Sequence, residues 1–443
     1  MSARLIRVLK ALLPAPFTIA VLLTLVTFVL AYFLSPNQET PLSLLNYWEK
    51  GLWNTPLLVF AMQMMLMLVL GHVLALTKTV SHWIDKVTLI CSNTAQAAAW
   101  VTLLTLLVSF FNWGLGLVFG AIFARKVGEY ATKNNIPLNY PLIGAAGYSG
   151  LMVWHGGISG SAPIKIAEKG HFLEEKIGVI SQSETIFSTM NISVSIMLLI
   201  VLPCLMFVLG KKSESKIIKL SSEPVLDEQE EIQGAERLDH SNILAYVFGG
   251  MIILYCLYKA LILPQQLSLS FITPNFINLF LLGIGILLHK NFNHFLKGVS
   301  QAIGGASGIL IQFPLYFGIM GIMNSSGLVG VFSDFFVSIS NSTTFPIFAF
   351  ISAGIVNVFV PSGGGQWGVQ GPIIIEAASQ LNVPYWKAVL ALAYGDQLTN
   401  MLQPFWALPL LAITGLKAKD ILPYSLLLLL VGGSIFVIGL LLF

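Results

Sequence analysis

The sequence predicts an all-α integral membrane protein: a polytopic helix bundle of about eleven membrane segments, built from two inverted-topology repeats with broken helices or re-entrant hairpins. Three observations predict it. Of 443 residues, 56% are hydrophobic and only 10% charged. Soluble domains carry roughly 25% charged residues, and a soluble fold this long could not cover its surface with so few charges, whereas a lipid-facing surface must be apolar. Apolar runs of about 20 residues, the length of a membrane-crossing helix, recur along the chain. Two polar, Gly-rich stretches share one grammar.

The first run, from about 17 to 34, follows Arg4, Arg7 and Lys10. It is longer than the roughly 7–15 residues of a signal-peptide core, and no small-x-small cleavage site follows, so it reads as an uncleaved first span. Clear spans are expected at about 14–35, 53–76, 95–111, 185–209, 241–263, 274–289, 302–323, 346–360 and 423–443. Less regular apolar stretches lie at about 113–130, 140–154, 372–382 and 388–414, interrupted by Gly, Pro and polar residues. Several of these are not expected to be full spans.

Residues 211–240 are plainly aqueous, with Lys211, Lys212, Lys216, Lys219, Arg237 and many carboxylates. They divide the chain into an N-terminal membrane repeat (1–210), a cytoplasmic linker (211–240) and a C-terminal membrane repeat (241–443). Lys and Arg concentrate on cytoplasmic loops. That rule puts the N-terminus, Lys78, Lys86, Arg125, Lys126, the linker, Lys290 and Lys297 inside, and the stretch 324–345, which has no Lys or Arg, outside. Net charge is +3, too small and dispersed to suggest nucleic acid. Cys91, Cys204 and Cys256 lack metal-ligand or redox spacing and read as packing residues.

The repeat runs from Asn112 to Pro163 and from Asn357 to Pro409, separations of 51 and 52 residues. Each copy opens with Asn at the end of an apolar span, then has a Gly-rich break and a helix-like stretch. Each continues through a short Asn/Pro loop (Ile136-Pro137, Val383-Pro384), a helix containing Tyr148 or Tyr394, and a polar break before the closing proline. The preceding spans run in opposite directions by the charge count, so the copies are inverted, the signature of secondary transporters with sites near the midplane.

Irregular backbone at membrane depth occurs only where protein or a water-filled cavity covers it. Four breaks are therefore site candidates: 112–114, 159–161, 362–365 and 397–403. Helix N-termini suit a carboxylate, and exposed carbonyls suit Na⁺. No Arg lies deep in an apolar segment, and no Lys or Arg is obviously placed to be the positive partner of a carboxylate. The substrate-binding candidates are thus helix ends and neutral donors: Asn112, Trp113, Ser159, Gly160, Ser161, Asn357, Ser362, Gly363, Gly364, Gly365, Gln366, Gln370 and Asn400. Ser362 with its three following glycines is the sharpest. Such a site suits a monoanion with a short apolar tail, walled by Trp113, Trp367 or Trp406. Coupling-ion candidates are Asp396, an acid inside an apolar segment, and His155, with Na⁺ placed near Asn112 and Asn357. Glu184, Glu376 and Asp334 rank lower. The choice between H⁺ and Na⁺ stays open, and no other cofactor is expected.

The segments PSGGGQWGVQGP (361–372), AYGDQ (393–397), QPFWALP (403–409), FNWGLG (111–116), GGISGSAP (156–163) and GILIQFPLYFGI (308–319) closely resemble the bacterial short-chain fatty acid transporter family, across essentially the whole chain. The resemblance implies coupled uptake of short-chain monocarboxylates such as acetoacetate and butyrate across the bacterial inner membrane, by a homodimer working through an elevator motion. The alternative is a carrier of another small organic anion, such as a dicarboxylate, on the same architecture. An enzyme is not expected: Gly157-Ile158-Ser159-Gly160 is only a near miss to a nucleophile elbow, and His155 has no acidic orienter close in sequence.

Overall fold

The computed structural model describes residues 16–36, 39–218, 220, 234–263, 271–359 and 363–443. Among these the architecture is all-helical, and the sole extended pairing is an isolated bridge between Leu138 and Lys216. The first half holds α1 (Pro16–Leu34), α2 (Pro41–Leu52), α3 (Thr55–Ala75), α4 (Lys78–Thr88), α5 (Thr94–Phe111), α6 (Trp113–Lys133), α7 (Tyr140–Tyr148), α8 (Ser161–Ile166) and α9 (Thr189–Lys212). The second holds α10 (Asn242–Leu257), α11 (Pro274–His289), α12 (Phe292–Ala302), α13 (Ser307–Ser325), α14 (Leu328–Ile339), α15 (Phe345–Phe359), α16 (Gly363–Gln380), α17 (Tyr385–Thr399), α18 (Pro404–Thr414) and α19 (Ala418–Leu442).

Six helical stretches among the described residues are long and apolar enough to cross a membrane: 55–75, 94–111, 189–212, 242–262, 292–325 and 418–442. Shorter apolar helices include 20–34, 274–289 and 345–357. Outward-facing Phe33, Val247 and Leu254 are well exposed, as lipid-facing side chains should be. The helix starts follow local chemistry. Asn54, Thr77, Asn93, Asn112, Asn139, Ser188, Ser241, Thr273 and Asn291 each accept a hydrogen bond from a first-turn backbone N–H, satisfying a donor that is costly to leave bare in lipid.

Several expectations shift: Ser161 already starts α8 and Gly363 already starts α16, so the breaks expected at 159–161 and 362–365 are shorter than expected, and three further differences follow. The span expected from 185 begins at Thr189, so Glu184 lies in the turns before α9 and Ser188 caps the helix instead. The break expected at 112–114 narrows to Asn112, because Trp113 already starts α6. The break expected at 397–403 narrows to Gln403, because α17 runs to Thr399 and passes into a 3₁₀ turn at 400–402. One cap suffices to interrupt a helix, so the polar cluster around it does not all unwind.

The two stretches with shared grammar also share local geometry. After α6 and after α16, Asn135 and Asn382 both take φ 55°, a left-handed conformation that Asn tolerates. Ile136 N–H then donates to Ala131 O and Val383 N–H to Ala378 O, each at 2.9 Å. α7 passes into 3₁₀ turns at 149–152 and 154–156, as α17 does at 400–402. The packing is reciprocal: α18 lies against α6, and α8 against α16.

α6 and α7 meet through a contact only glycine permits. A Cβ on Gly120 would lie 2.1 Å from Gly147 O, and one on Gly147 would lie 2.4 Å from Gly120 O. α15 and α17 approach as closely, since a Cβ on Gly395 would lie 2.0 Å from Phe350 O. The basic loops gather on one face: Lys126 reaches Ser81 and Asp85, Leu138 pairs with Lys216, and Thr132 Oγ donates to Ile218 O. Of the cysteines, Cys91 and Cys256 are buried and Cys204 is exposed. Burial pushes the loop thiol of Cys91 up to about 12.

Candidate functional site

The polar breaks form two clusters, and a small cavity lies beside the first. The first is built on the α5–α6 junction. Asn112 Oδ1 accepts from Leu115 N–H (2.7 Å) and so caps α6, while its Nδ2 has no partner. Ser159 Oγ accepts from Trp113 N–H (2.9 Å), and Ile158 N–H donates to Phe110 O (2.7 Å). These bonds pin the 157–160 strand-like turn to the helix break. Gly160 fits here because a Cβ would lie 2.0 Å from His155 O.

The second cluster is built on Asn357. Its Nδ2 lies within hydrogen-bond reach of Asp396 O (2.7 Å), Thr399 Oγ (2.9 Å) and Asn400 Oδ1 (2.9 Å). Gln403 Nε2 donates to Asn357 O. Several buried atoms here lack partners: Asn357 Oδ1, Asn400 Nδ2, Gln403 Oε1 and both carboxyl oxygens of Asp396. Buried polar atoms are overwhelmingly satisfied in folded proteins, so a concentration of orphans needs an explanation. A bound ion, water or ligand supplies one.

His155 joins the clusters. Its Nδ1 lies 3.5 Å from Asp396 Oδ2, with both side chains inaccessible. Its Nε2 accepts from Ala162 N–H at 3.1 Å, which assigns the ring proton of the neutral imidazole to Nδ1, facing Asp396. Gln397 Oε1 accepts from His155 N–H at 2.9 Å. Asp396 is thus at 0% exposure and not at an aqueous helix end. Ser159 and His155 bond to different groups, so they do not form a nucleophile–base pair.

Tyr148 and Tyr394, at matching places in the two stretches, each bond to the other stretch or to a residue that does. Tyr148 OH donates to Asn400 O (2.7 Å) and lies 3.2 Å from Gln403 O. Tyr394 OH donates to Asn191 Oδ1 (2.8 Å), whose amide donates to Gly156 O (2.8 Å). Each tyrosine therefore reaches the break of the other copy, directly or through one side chain.

A cavity of about 40 Å³, enough for a few waters, lies beside the first cluster, and the Asn357 cluster does not line it. Trp113, Ser161, Gly363 and Gly364 line it, as do Trp154, Trp406, Met64, Gln312 and Phe313. Trp113 lies 5.7 Å from Trp154 and 5.6 Å from Trp406, ring centre to ring centre. The walls are therefore aromatic, with small residues opposite. Trp367 is buried elsewhere, against Phe172. Gln366 and Gln370 turn toward α15: Gln366 donates to Ala353 O (2.8 Å) and Gln370 Oε1 (2.9 Å), and Gln370 reaches Ser352. Gly365 is buried in α16. Ser362 lies outside the described residues. Glu376 pairs with Lys176 at 3.0 Å, and Asp334 accepts from Gln380.

Sequence reasoning missed one charged residue. No lysine was expected at the site, yet Lys165 is 2% exposed. It stands one turn after Ser161 in the six-residue α8. The signal was available in Ile164-Lys165-Ile166, a lysine flanked by apolar residues next to a predicted break, with Glu168 three residues on. Gln312 and Trp154 were also missed, although both fall in or beside motifs noted in the sequence.

A family model described as Short chain fatty acid transporter matches residues 1–443. An Escherichia coli K12 relative named "Putative short-chain fatty acid transporter" is 39% identical over 439 residues, covering 97% of this chain and 96% of its own. A Haemophilus influenzae relative of the same name is 36% identical over 441 residues, with the same coverage of 97% and 96%. Among solved structures, the Alcanivorax borkumensis YdaH transporter aligns with a TM-score of 0.64 at 14% identity, covering 96% of this chain and 98% of its own. Neisseria gonorrhoeae MtrF, described within a class of antimetabolite efflux pumps, aligns with a TM-score of 0.58 at 12% identity, covering 98% and 97%. At these identities the two structures bear on fold alone.

Proposed function

The chain belongs to the short-chain fatty acid transporter family, a family of membrane transporters and not of enzymes, and from that premise we propose that it takes up short-chain monocarboxylates, of the acetoacetate and butyrate type, across the bacterial inner membrane. Uptake is coupled to an ion, and the ion is a proton carried by Asp396. The observation that carries this reading is the Asp396 carboxyl, inaccessible, with His155 Nδ1 at 3.5 Å as the one side-chain group facing it among the described residues. An ionisable side chain enclosed at membrane depth is costly, and therefore a functional candidate by default. A proton delivered with the substrate and released on the other side would couple the two fluxes.

A second reading has Na⁺ as the coupling ion. It draws on the unpartnered oxygens Asn357 Oδ1 and Gln403 Oε1 beside the Asp396 carboxyl. The aromatic, uncharged cavity wall favours a monoanion with an apolar tail over a dicarboxylate.

The two halves, 1–210 and 241–443, act in this reading as inverted repeats joined by the 211–240 linker, with the basic face in the cytoplasm. The matched turns at Asn135 and Asn382 and the reciprocal α6–α18 and α8–α16 packing support it. The breaks then move as a unit against the remaining helices in an elevator-like step, within a homodimer. The test is uptake of radiolabelled butyrate into proteoliposomes with a pH gradient or a Na⁺ gradient imposed separately. Accumulation under the pH gradient alone supports proton coupling, and accumulation under Na⁺ alone replaces it with the second reading. No uptake under either, with intact protein in the bilayer, rejects the substrate assignment.

A further inference from the structure

Lys165 is the one lysine or arginine among the described residues that is buried. Its ammonium contacts Glu168 Oε2 at 2.8 Å and Gln63 Oε1 at 3.4 Å. An ammonium has three donors, and among the described residues two of them find oxygens, while the group also lies 5.5 Å from the centre of the Phe60 ring. That ring does not itself line the cavity but packs against two residues that do, Phe313 and Gly364. It stands 6.4 Å from Phe313, and a Cβ on Gly364 would touch both Phe60 and Phe313. The Phe60 ring therefore connects a buried cation to the Phe313 and Gly364 wall of the cavity.

The partner of this cation can be left behind at little cost. Glu168 Oε1 accepts from Gln63 Nε2 (2.9 Å) and Asn275 Nδ2 (3.3 Å), and its side chain is 15% exposed. Two amide donors and some water would hold the carboxylate if the lysine turned away. The lysine stem is long and flexible, and Ser161, on the same face of α8 one turn earlier, already lines the cavity. A substrate carboxylate entering this cavity would otherwise have no cation, and a buried anion without one is costly.

We propose that Lys165 is the cationic subsite for the substrate carboxylate, exchanging Glu168 for the substrate when the Phe60 ring moves aside. The proposal rests on the monocarboxylate reading above. It is a change of ion-pair partner and involves no covalent step. Glu168 competes with the substrate for the same ammonium, so the two residues act in opposite directions on affinity. A purely structural Lys165–Glu168 latch would make them act alike.

The experiment is butyrate titration of purified full-length protein, read by quenching of the tryptophans beside the cavity, with butyramide as an uncharged probe. Lys165→Met is expected to weaken butyrate binding about tenfold or more, the weight of one buried charge-assisted hydrogen bond, with little change for butyramide. Glu168→Gln is expected to tighten butyrate binding. Equal weakening by both substitutions, or unchanged butyrate affinity in folded Lys165→Met protein, overturns the proposal. If Lys165→Met does not fold, Glu168→Gln decides alone, and weaker binding there overturns it. Absence of any butyrate response in the parent protein rejects the substrate reading itself, and this assignment with it.

Discussion

His155 Nδ1 and Asp396 Oδ2 stand 3.5 Å apart, on segments 241 residues distant in sequence, with both side chains closed to solvent. The separation is too long for a strong hydrogen bond. His155 is fixed by Ala162 N–H and Gln397, while the Asp396 carboxyl is held by nothing else. The acid is therefore the member free to change its proton or bind a cation.

Asp396→Asn keeps the shape of the side chain and removes the titration. It is expected to abolish accumulation against a gradient while leaving exchange of labelled for unlabelled butyrate across proteoliposomes within about tenfold of the parent, since exchange needs no net movement of the ion. Concentrative uptake by this variant would exclude Asp396 as the coupling group.

Asn357→Ala leaves three acceptors, Asp396 O, Thr399 Oγ and Asn400 Oδ1, without their common donor. Uptake should fall by about tenfold or more, the weight of one to two lost buried hydrogen bonds, with the protein still monodisperse in detergent. Ser362→Ala is expected to do the same through the substrate. Parent-level uptake in both folded variants would remove this break from the site.

Tyr148→Phe deletes the hydroxyl that reaches Asn400 O and Gln403 O. Hydrogen bonds between membrane helices are worth about 0.6 kcal/mol on average and up to about 1.7 kcal/mol. A small drop in thermal stability by scanning fluorimetry is expected, with a larger loss of transport rate, because the hydroxyl ties the first copy to the second break. Loss of stability without any change in rate would make the contact merely structural.

Gly395→Val would drive a branched side chain into the carbonyl of Phe350, which a Cβ alone would approach to 2.0 Å. Backbone cannot give way as a flexible side chain can, and overpacking costs about 1–3 kcal/mol or more. Little folded protein should be recovered from membranes. Gly250→Val is the control, since nothing lies within 4 Å of a Cβ there, and it should express like the parent.

The helices and their breaks were legible because their causes are local. A bilayer demands runs of about 20 apolar residues, and the helices 55–75, 94–111 and 189–212 fall close to the expected spans. Asn112 and Gln403 interrupt helices where polar, glycine-rich sequence said a break would come, and the paired Asn/Pro loops end α6 and α16 with one turn geometry. The sequence alone thus determined a polytopic membrane fold and the two clusters in which polar backbone gathers. Its motifs pointed to the family. Only the tertiary structure decided which charges are buried and what faces them. Lys165 is buried where Gln63 and Phe60, each more than 100 residues away, pack on it, and its partner Glu168 is held by Asn275. Asp396 meets His155 rather than water, and Gln366 and Gln370 turn to α15 and away from the cavity. Hydropathy is summed along a chain, whereas the cost of a buried polar group depends on the partners that distant segments bring to it.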